Sequence, residues 1–159
     1  MKHIPMKFSH LIPSKDMNAE IIKMLFTQYG IQEIVGENDN VEVLKYFREI
    51  GFKDSSLKDE TAWCSAFANW IAMKCGLERS GKLNARSWLD VGYTITVPEP
   101  GDIVVFWRES PSSWKGHVAF FINKMDDLIY VFGGNQNNKS QISPYPESSV
   151  LGYRRLSRI

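Results

Sequence analysis

The chain has 159 residues, and its 19 Lys and Arg residues nearly balance its 18 Asp and Glu residues. This length favours one domain, and the formal charge of +1 provides no basic field that would attract a nucleic acid. Hydrophobic residues make up 43% of the chain and charged residues 23%, values typical of a globular protein and wrong for a disordered one. No apolar run approaches the roughly 20 residues that a membrane-spanning helix needs.

The first 15 residues predict an extended N-terminal arm, without a Sec-type secretory signal. Pro5, His10 and Pro13 interrupt any hydrophobic region that such a signal would contain, and no small-residue cleavage site follows. Residues 16–159 then form the single predicted domain, because no linker, repeat or low-complexity tract divides them.

Helical spacing of apolar residues predicts four helical segments in the first part of the chain. Glycines are the expected stops of the first three, and Thr61 is the expected N-terminal cap of the third. The segments are Asp16–Tyr29, a helix with Val43, Leu44, Phe47 and Ile50, a helix from Thr61 to Gly76, and a shorter piece at Asn84–Asp90.

After Pro98 the pattern changes to short runs of Ile, Val, Phe and Tyr, which predict strands. The polar pair Asp126 and Asp127 between the second and third runs indicates a hairpin. Helices followed by an antiparallel sheet are typical of the α+β class. The predicted strands are Ile103–Trp107, His117–Asn123, Leu128–Phe132 and Val150–Arg154.

Cys64 and Cys75 are predicted to remain unpaired and to have different roles. A helix with no Gly or Pro between them separates their Cα atoms by roughly 16 Å, and a disulfide tolerates only about 7 Å. Cys64 falls in the first turn of the predicted helix, where free N–H groups and the helix dipole stabilise a thiolate. Cys64 is therefore a candidate nucleophile, with a small buried core residue as the alternative. Cys75 is expected to be inert packing.

His117 begins a predicted strand, and at the rim of the sheet it is the candidate general base. The next strand is followed by Gly133–Asn138, where an amide carbonyl can fix the tautomer of an imidazole. Asn135 is the first candidate for this role and Gln136 the second. Taken singly, a strand-edge His is more often structural and a Gly-Asn pair more often a turn. The order of thiol, His and amide along the chain favours a catalytic set.

Six segments in the same order resemble the CHAP/NlpC-like cysteine peptidase superfamily, which includes small bacterial and phage cell-wall hydrolases. Together they place the resemblance over about residues 18–156. The chain departs from the family where Gly133 and Gly134 replace a Glu that many CHAP domains have, and where Ala62 replaces a common Pro. The segments are Thr61–Trp70, Ala85–Leu89, Pro98–Trp107, Gly116–Phe120, Gly133–Gln136 and Leu151–Arg155.

The resemblance implies a papain-like fold, with the nucleophile at a helix N-terminus that packs on an antiparallel sheet. It implies Cys64 as nucleophile, His117 as base and Asn135 as the orienting residue, with Gln136 in reserve. It also implies peptidoglycan as substrate, cut either as an N-acetylmuramoyl-L-alanine amidase or as a stem or cross-bridge endopeptidase. Neither a cofactor nor a metal is needed for acyl transfer to a thiol.

Two settings fit such a hydrolase: a phage-type lysin released by a holin, or an antibacterial effector delivered by a secretion machine and neutralised by an immunity protein. In both, the protein is made in the bacterial cytoplasm and acts in the periplasm or cell wall. A monomer is expected, with no nucleic acid partner and no membrane insertion. The alternatives are a catalytically degenerate wall-binding module and a cysteine hydrolase of a non-wall amide.

Aromatic residues and one acidic residue near these motifs have competing interpretations. Trp63 and Trp114 are candidates for support of the site, and Trp63 and Trp88 are expected mainly in the core. Trp114 lies in a polar loop near His117 and is the best candidate for a substrate groove. Asp102 is expected to form a turn before a strand.

Overall fold

In the computed structural model, which describes residues 15–32, 41–52 and 63–159, three α-helices precede a six-stranded antiparallel sheet. The predicted α+β class is therefore confirmed. The predicted arm up to residue 14 and the predicted cap Thr61 lie outside the described residues. Within those ranges, no helix has both the length and the apolar character that crossing a bilayer requires.

Two short 3-10 helices accompany the helices and strands, one between α3 and β1 and one between β5 and β6. The helices are α1 (Lys15–Thr27), α2 (Val41–Glu49) and α3 (Cys64–Lys74), and the 3-10 helices are Ala85–Asp90 and Glu147–Ser149. The strands are β1 (Tyr93–Ile95), β2 (Ile103–Trp107), β3 (Gly116–Met125), β4 (Leu128–Gln136), β5 (Lys139–Pro146) and β6 (Val150–Arg155). Across the sheet the order is β1-β6-β2-β3-β4-β5.

The four predicted strands are confirmed as β2, β3, β4 and β6, and β3 and β4 join at the predicted hairpin. The prediction missed β1 and β5, which are the two edges of the sheet. β1 has three residues, and β5 contains Pro144 and Pro146, which weaken any strand signal. An edge strand tolerates proline because one of its sides makes no ladder hydrogen bonds.

The helices cover one face of the sheet, and α3 lies nearest to its centre. α3 is buried from Cys64 to Ala72 because it packs against α2 on one side and against β3 and β4 on the other. A helix with so few polar positions has to be buried on nearly every side. The opposite face of the sheet carries a smaller apolar cluster of Val104, Phe106, Ala119, Phe121, Ile129 and Val131.

Candidate active site

Cys64 lies in the first turn of α3, as the sequence predicts, but the helix begins at Cys64 itself and not after a cap at Thr61. Only 6% of the Cys64 surface is exposed. The preceding residue, Trp63, occupies the N-cap position and makes no side-chain cap hydrogen bond. Trp63 is fully buried and stacks on Tyr46 with 5.8 Å between ring centroids. A large core side chain therefore holds the helix start in place, and Trp63 supports the site from behind without lining a groove.

A bulge near the end of β4 makes room for this helix start. β4 pairs with β5 at Gly133↔Gln141 and again at Gln136↔Lys139, so β4 has one extra residue between these pairs. A Cβ on Gly134 would come within 2.7 Å of both Trp63 and Phe67. Only glycine allows the strand to approach α3 so closely.

His117 is the second residue of β3 and is 4% exposed. Its ring stacks on Tyr145, with 5.0 Å between centroids and 24° between planes, and on Phe106 at 6.3 Å and 23°. The imidazole Nε2 lies 2.9 Å from Oε1 of Gln136. The ring is therefore held both by its faces and by one of its nitrogens.

The amide of Gln136 has a fixed orientation, which settles the direction of this hydrogen bond. Its Nε2 donates to the main-chain carbonyls of Val131 at 3.1 Å and Gln141 at 2.6 Å. Oε1 is then the atom that faces His117, and a carboxamide oxygen only accepts. His117 Nε2 therefore donates the proton, and Nδ1 is the nitrogen available for chemistry.

The hydrogen bond expected from Asn135 is thus made by Gln136, and the first-ranked assignment of the orienting residue is corrected. Side chains alternate between the two faces of a strand, so an unbroken β4 would have put Asn135 on the same face as Val131. Asn135 instead adopts a left-handed conformation with φ 59°. The extra residue in the bulge reverses the alternation and brings Gln136 to the face of His117.

Opposing effects act on the Cys64 thiol. Burial raises its pKa, while a hydrogen bond to His117, the charge of that ring and backbone hydrogen bonds from Val118 and Ser65 lower it. The net pKa of Cys64 is below that of an ordinary cysteine. Both cysteines are free, as predicted, but burial and the nearby Glu20 carboxylate raise the pKa of Cys75 to about 11. The structure thus brings Cys64, His117 and Gln136 together, with His117 bonded to Gln136 and acting on the pKa of the thiol.

The remaining predicted residues divide between surface and core. Trp114 is 76% exposed in the loop between β2 and β3, whereas Trp88 is fully buried and donates to Ser65. Asp102 forms the expected turn, since its carboxylate accepts from the Glu99 N–H at 2.7 Å, but it is also buried in an ion pair.

Two residues beside the site, Tyr145 and Arg108, were missed by the sequence analysis. Tyr145 lies on β5, which was not predicted as a strand. Arg108 follows the last residue of β2 and carries no motif of its own. Alternation along β2, which places residue 108 on the same face as Phe106, is the one sequence signal that points to the site.

The match to a family model agrees with the resemblance of the sequence motifs. A family model for the CHAP domain matches residues 56–135, a range that contains Cys64 and His117 and ends one residue before Gln136. No curated protein sequence matches the chain. Among solved structures, the chain is similar to a protein from Staphylococcus aureus subsp. aureus Mu50 described as similar to a lipoprotein of the NLP/P60 family.

That similarity has 16% sequence identity and a TM-score of 0.48, and it covers 88% of this chain and 41% of the staphylococcal one. The family model, by contrast, spans half of this chain and includes the start of α3 and the first strands of the sheet. The chain therefore belongs to the CHAP domain family, a family of peptidoglycan amidase- and peptidase-type hydrolases with a papain-like α+β fold.

Proposed function

We propose that this chain hydrolyses an amide bond of peptidoglycan, with Cys64 as the nucleophile and His117 as the general base and acid. One observation supports this above the others: the Gln136 amide holds the imidazole of His117 at 2.9 Å, and that imidazole is close enough to the Cys64 thiol to lower its pKa. The low pKa of Cys64 and the fixed tautomer of His117 are what a thiol nucleophile needs.

The reaction proceeds through a thioester. The Cys64 thiolate attacks the amide carbonyl carbon, and the negative charge on the carbonyl oxygen is stabilised by the Cys64 backbone N–H at the helix start. The C–N bond then breaks as protonated His117 donates its Nδ1 proton to the leaving amine. Water, deprotonated by Nδ1, attacks the thioester, and the thiolate leaves. Gln136 accepts from Nε2 throughout and keeps the ring oriented.

The scissile bond is either the muramoyl-L-alanine amide or an amide of the stem peptide or cross-bridge. Such a substrate lies in the periplasm or cell wall, so we propose that the protein acts there, after holin-type release or after delivery by a secretion machine. A delivered effector would require an immunity protein that covers the site. We propose that the hydrolase acts as a monomer.

The test is incubation of purified protein with peptidoglycan sacculi and identification of the soluble products by mass spectrometry. Wild type is expected to release products whose masses identify the bond, and Cys64→Ala is expected to release none. Gln136→Leu removes the acceptor of His117 and is expected to lower kcat on the order of 100-fold. Asn135→Gly is the matched control, because it removes the neighbouring amide while glycine accommodates a positive φ, and it should retain activity.

Each other result has a definite meaning. If the sacculi stay intact but bind wild type and Cys64→Ala equally, the chain is a wall-binding module. If a protein or lipid amide is cleaved and sacculi are not, it is a hydrolase of a non-wall amide. A loss of activity in Asn135→Gly with none in Gln136→Leu would overturn the assignment of the orienting residue.

A further inference from the structure

Arg108 lies next to the catalytic histidine, at the open end of β2. Phe106 pairs with His117 across the β2–β3 ladder, and the Arg108 N–H donates to the Lys115 carbonyl at 3.3 Å, which extends the ladder beyond Trp107. Residues two apart on a strand share a face and are about 7 Å apart. Arg108 is therefore on the same face of the sheet as Phe106 and His117, one step closer to solvent.

Tyr145 covers this face of the sheet beside His117. Its ring stacks on Phe106 at 4.9 Å and on His117 at 5.0 Å. Burial and the negative charge of Cys64 raise the pKa of Tyr145 to about 12, and the charge of Arg108 acts in the opposite direction. Both groups are thus near the phenol, and the hydroxyl is protonated at neutral pH and available as a donor.

The charge of Arg108 is not neutralised by its neighbours. Lys115, the other cation of this turn, pairs with Glu109 at 2.7 Å. Among the residues that the structure describes, no carboxylate lies within ion-pair distance of the exposed Arg108 side chain. A guanidinium that is left uncompensated beside a catalytic group is suited to bind an anion from outside the chain, and its planar fork fits a carboxylate.

We propose that Arg108 binds a carboxylate of the substrate close to the scissile amide, with the Tyr145 hydroxyl as a second donor. This proposal rests on the proposed function, since it takes peptidoglycan as the substrate. Stem peptides of peptidoglycan carry carboxylates, and in some walls these are converted to carboxamides. The preferred substrate is therefore a stem peptide with a free carboxylate, and Arg108 is the residue that distinguishes it from the carboxamide.

The experiment uses two synthetic muramoyl stem peptides that differ only in a carboxylate or a carboxamide on the second residue. The ratio of kcat/KM for the two peptides is measured for wild type, Arg108→Ala, Arg108→Lys and Lys115→Ala. Wild type is expected to prefer the carboxylate by about tenfold, and added salt should weaken the preference. In Arg108→Ala the ratio should fall towards one, and Arg108→Lys, which keeps the charge without the fork, should be intermediate.

Lys115→Ala is the matched control: it removes a cation of the same turn that already has a partner, so the ratio should remain that of wild type. Equal cleavage of both peptides by wild type, or an unchanged ratio in Arg108→Ala, overturns the inference while the proposed function stands. Cleavage of neither peptide by a wild type that still digests sacculi overturns this inference alone, because the scissile bond then lies outside the stem peptide. Cleavage of neither peptide together with intact sacculi overturns the proposed function and this inference with it. Thermal melting of each variant excludes a loss of fold as the cause.

Discussion

At the scale of single residues, the charge state of Cys64 depends on its partners. A thiol that is 6% exposed pays a desolvation cost on ionisation, so burial alone would make it unreactive. The hydrogen bond and the charge of His117, together with hydrogen bonds from the Val118 and Ser65 backbone, exceed this cost and lower the pKa. The thiolate of Cys64 is therefore a property of the assembled site, and the helix start is only one part of it.

The two cysteines provide a test of this electrostatic argument. Because the pKa of Cys64 is lowered, its thiolate persists to a lower pH than the roughly 8.5 of a free cysteine. With a pKa of about 11, Cys75 has only about 10⁻⁴ of its thiol ionised at pH 7. Iodoacetamide at pH 7 is expected to alkylate Cys64 first, although Cys75 is the more exposed of the two. Peptide mapping by mass spectrometry measures both rates in one sample.

His117→Ala is the control for that measurement. Without the imidazole, burial of Cys64 is no longer offset by its two largest opposing contributions, so the pKa of the thiol rises. Alkylation of Cys64 at pH 7 should then slow by about tenfold or more, while the rate at Cys75 stays the same. Faster labelling of Cys75 than of Cys64 in the wild type would show that exposure, and not the pKa, controls reactivity.

At the scale of elements, the bulged end of β4 contacts the hydrophobic core on one face and the candidate active site on the other. The Cβ direction of Gly134 points at Trp63 and Phe67, whereas that of Gly133 points at Ala119 and at Oε1 of Gln136, 2.6 Å away. Two adjacent glycines thus face opposite sides of the sheet. One allows the strand to contact the helix that carries Cys64, and the other leaves room for the orienting amide.

Alanine substitutions at these two glycines should therefore have different effects. Gly134→Ala forces a methyl group against two rigid aromatic rings, and we expect a loss of about 1–3 kcal/mol in the free energy of unfolding. This corresponds to a decrease in Tm of roughly 3–10 °C. Gly133→Ala places a methyl group 2.6 Å from Oε1 of Gln136 and 2.9 Å from the Cβ of Ala119, so it should displace the orienting amide and lower kcat.

Thermal melts and sacculus digestion, each measured for both variants, make the comparison. The expected result is that Gly134→Ala has the lower Tm and Gly133→Ala the lower kcat per folded molecule. The opposite order for both quantities would contradict the assignment of the two faces.

At the scale of the whole molecule, one buried carboxylate joins three distant segments of the chain. Asp102, 1% exposed, accepts two hydrogen bonds from Arg155 in β6, at 2.9 and 2.8 Å. It also accepts from Asn18 in α1 at 3.0 Å and from the Glu99 N–H at 2.7 Å. A carboxylate with this many donors is stable in the interior, and it fastens α1 to the sheet.

Removal of the Asp102 carboxylate should lower the free energy of unfolding more than removal of the exposed Glu99 carboxylate. Asp102→Ala leaves the Arg155 guanidinium, whose side chain is 16% exposed, without its main partner, and we expect a loss of about 3–5 kcal/mol in unfolding free energy. Glu99 lies 3.6 Å from the same guanidinium but is 39% exposed. Glu99→Ala should therefore cost less than about 1 kcal/mol. Denaturant titrations of both variants measure the difference, and equal losses would refute the structural role of Asp102.

The sequence by itself determined the parts that depend on neighbours along the chain. Hydrophobic periodicity predicted the helices and the central strands, and the polar pair Asp126 and Asp127 predicted the hairpin. Local motifs placed Cys64 near a helix start and His117 at a strand start. These signals are local because a helix turn or a strand needs only a few consecutive residues. The edge strand β5 was not predicted, because its prolines and polar residues form a strand only through pairing with β4.

Only the tertiary structure decided which side chains meet at the site. A one-residue bulge in β4, which no periodic pattern predicts, brings Gln136 and not Asn135 to the imidazole of His117. The contact of Tyr145 with His117 depends on how β5 lies against the sheet, and the low pKa of Cys64 depends on partners from β3. Register and long-range packing set these features, because a shift of one residue turns a strand side chain to the opposite face.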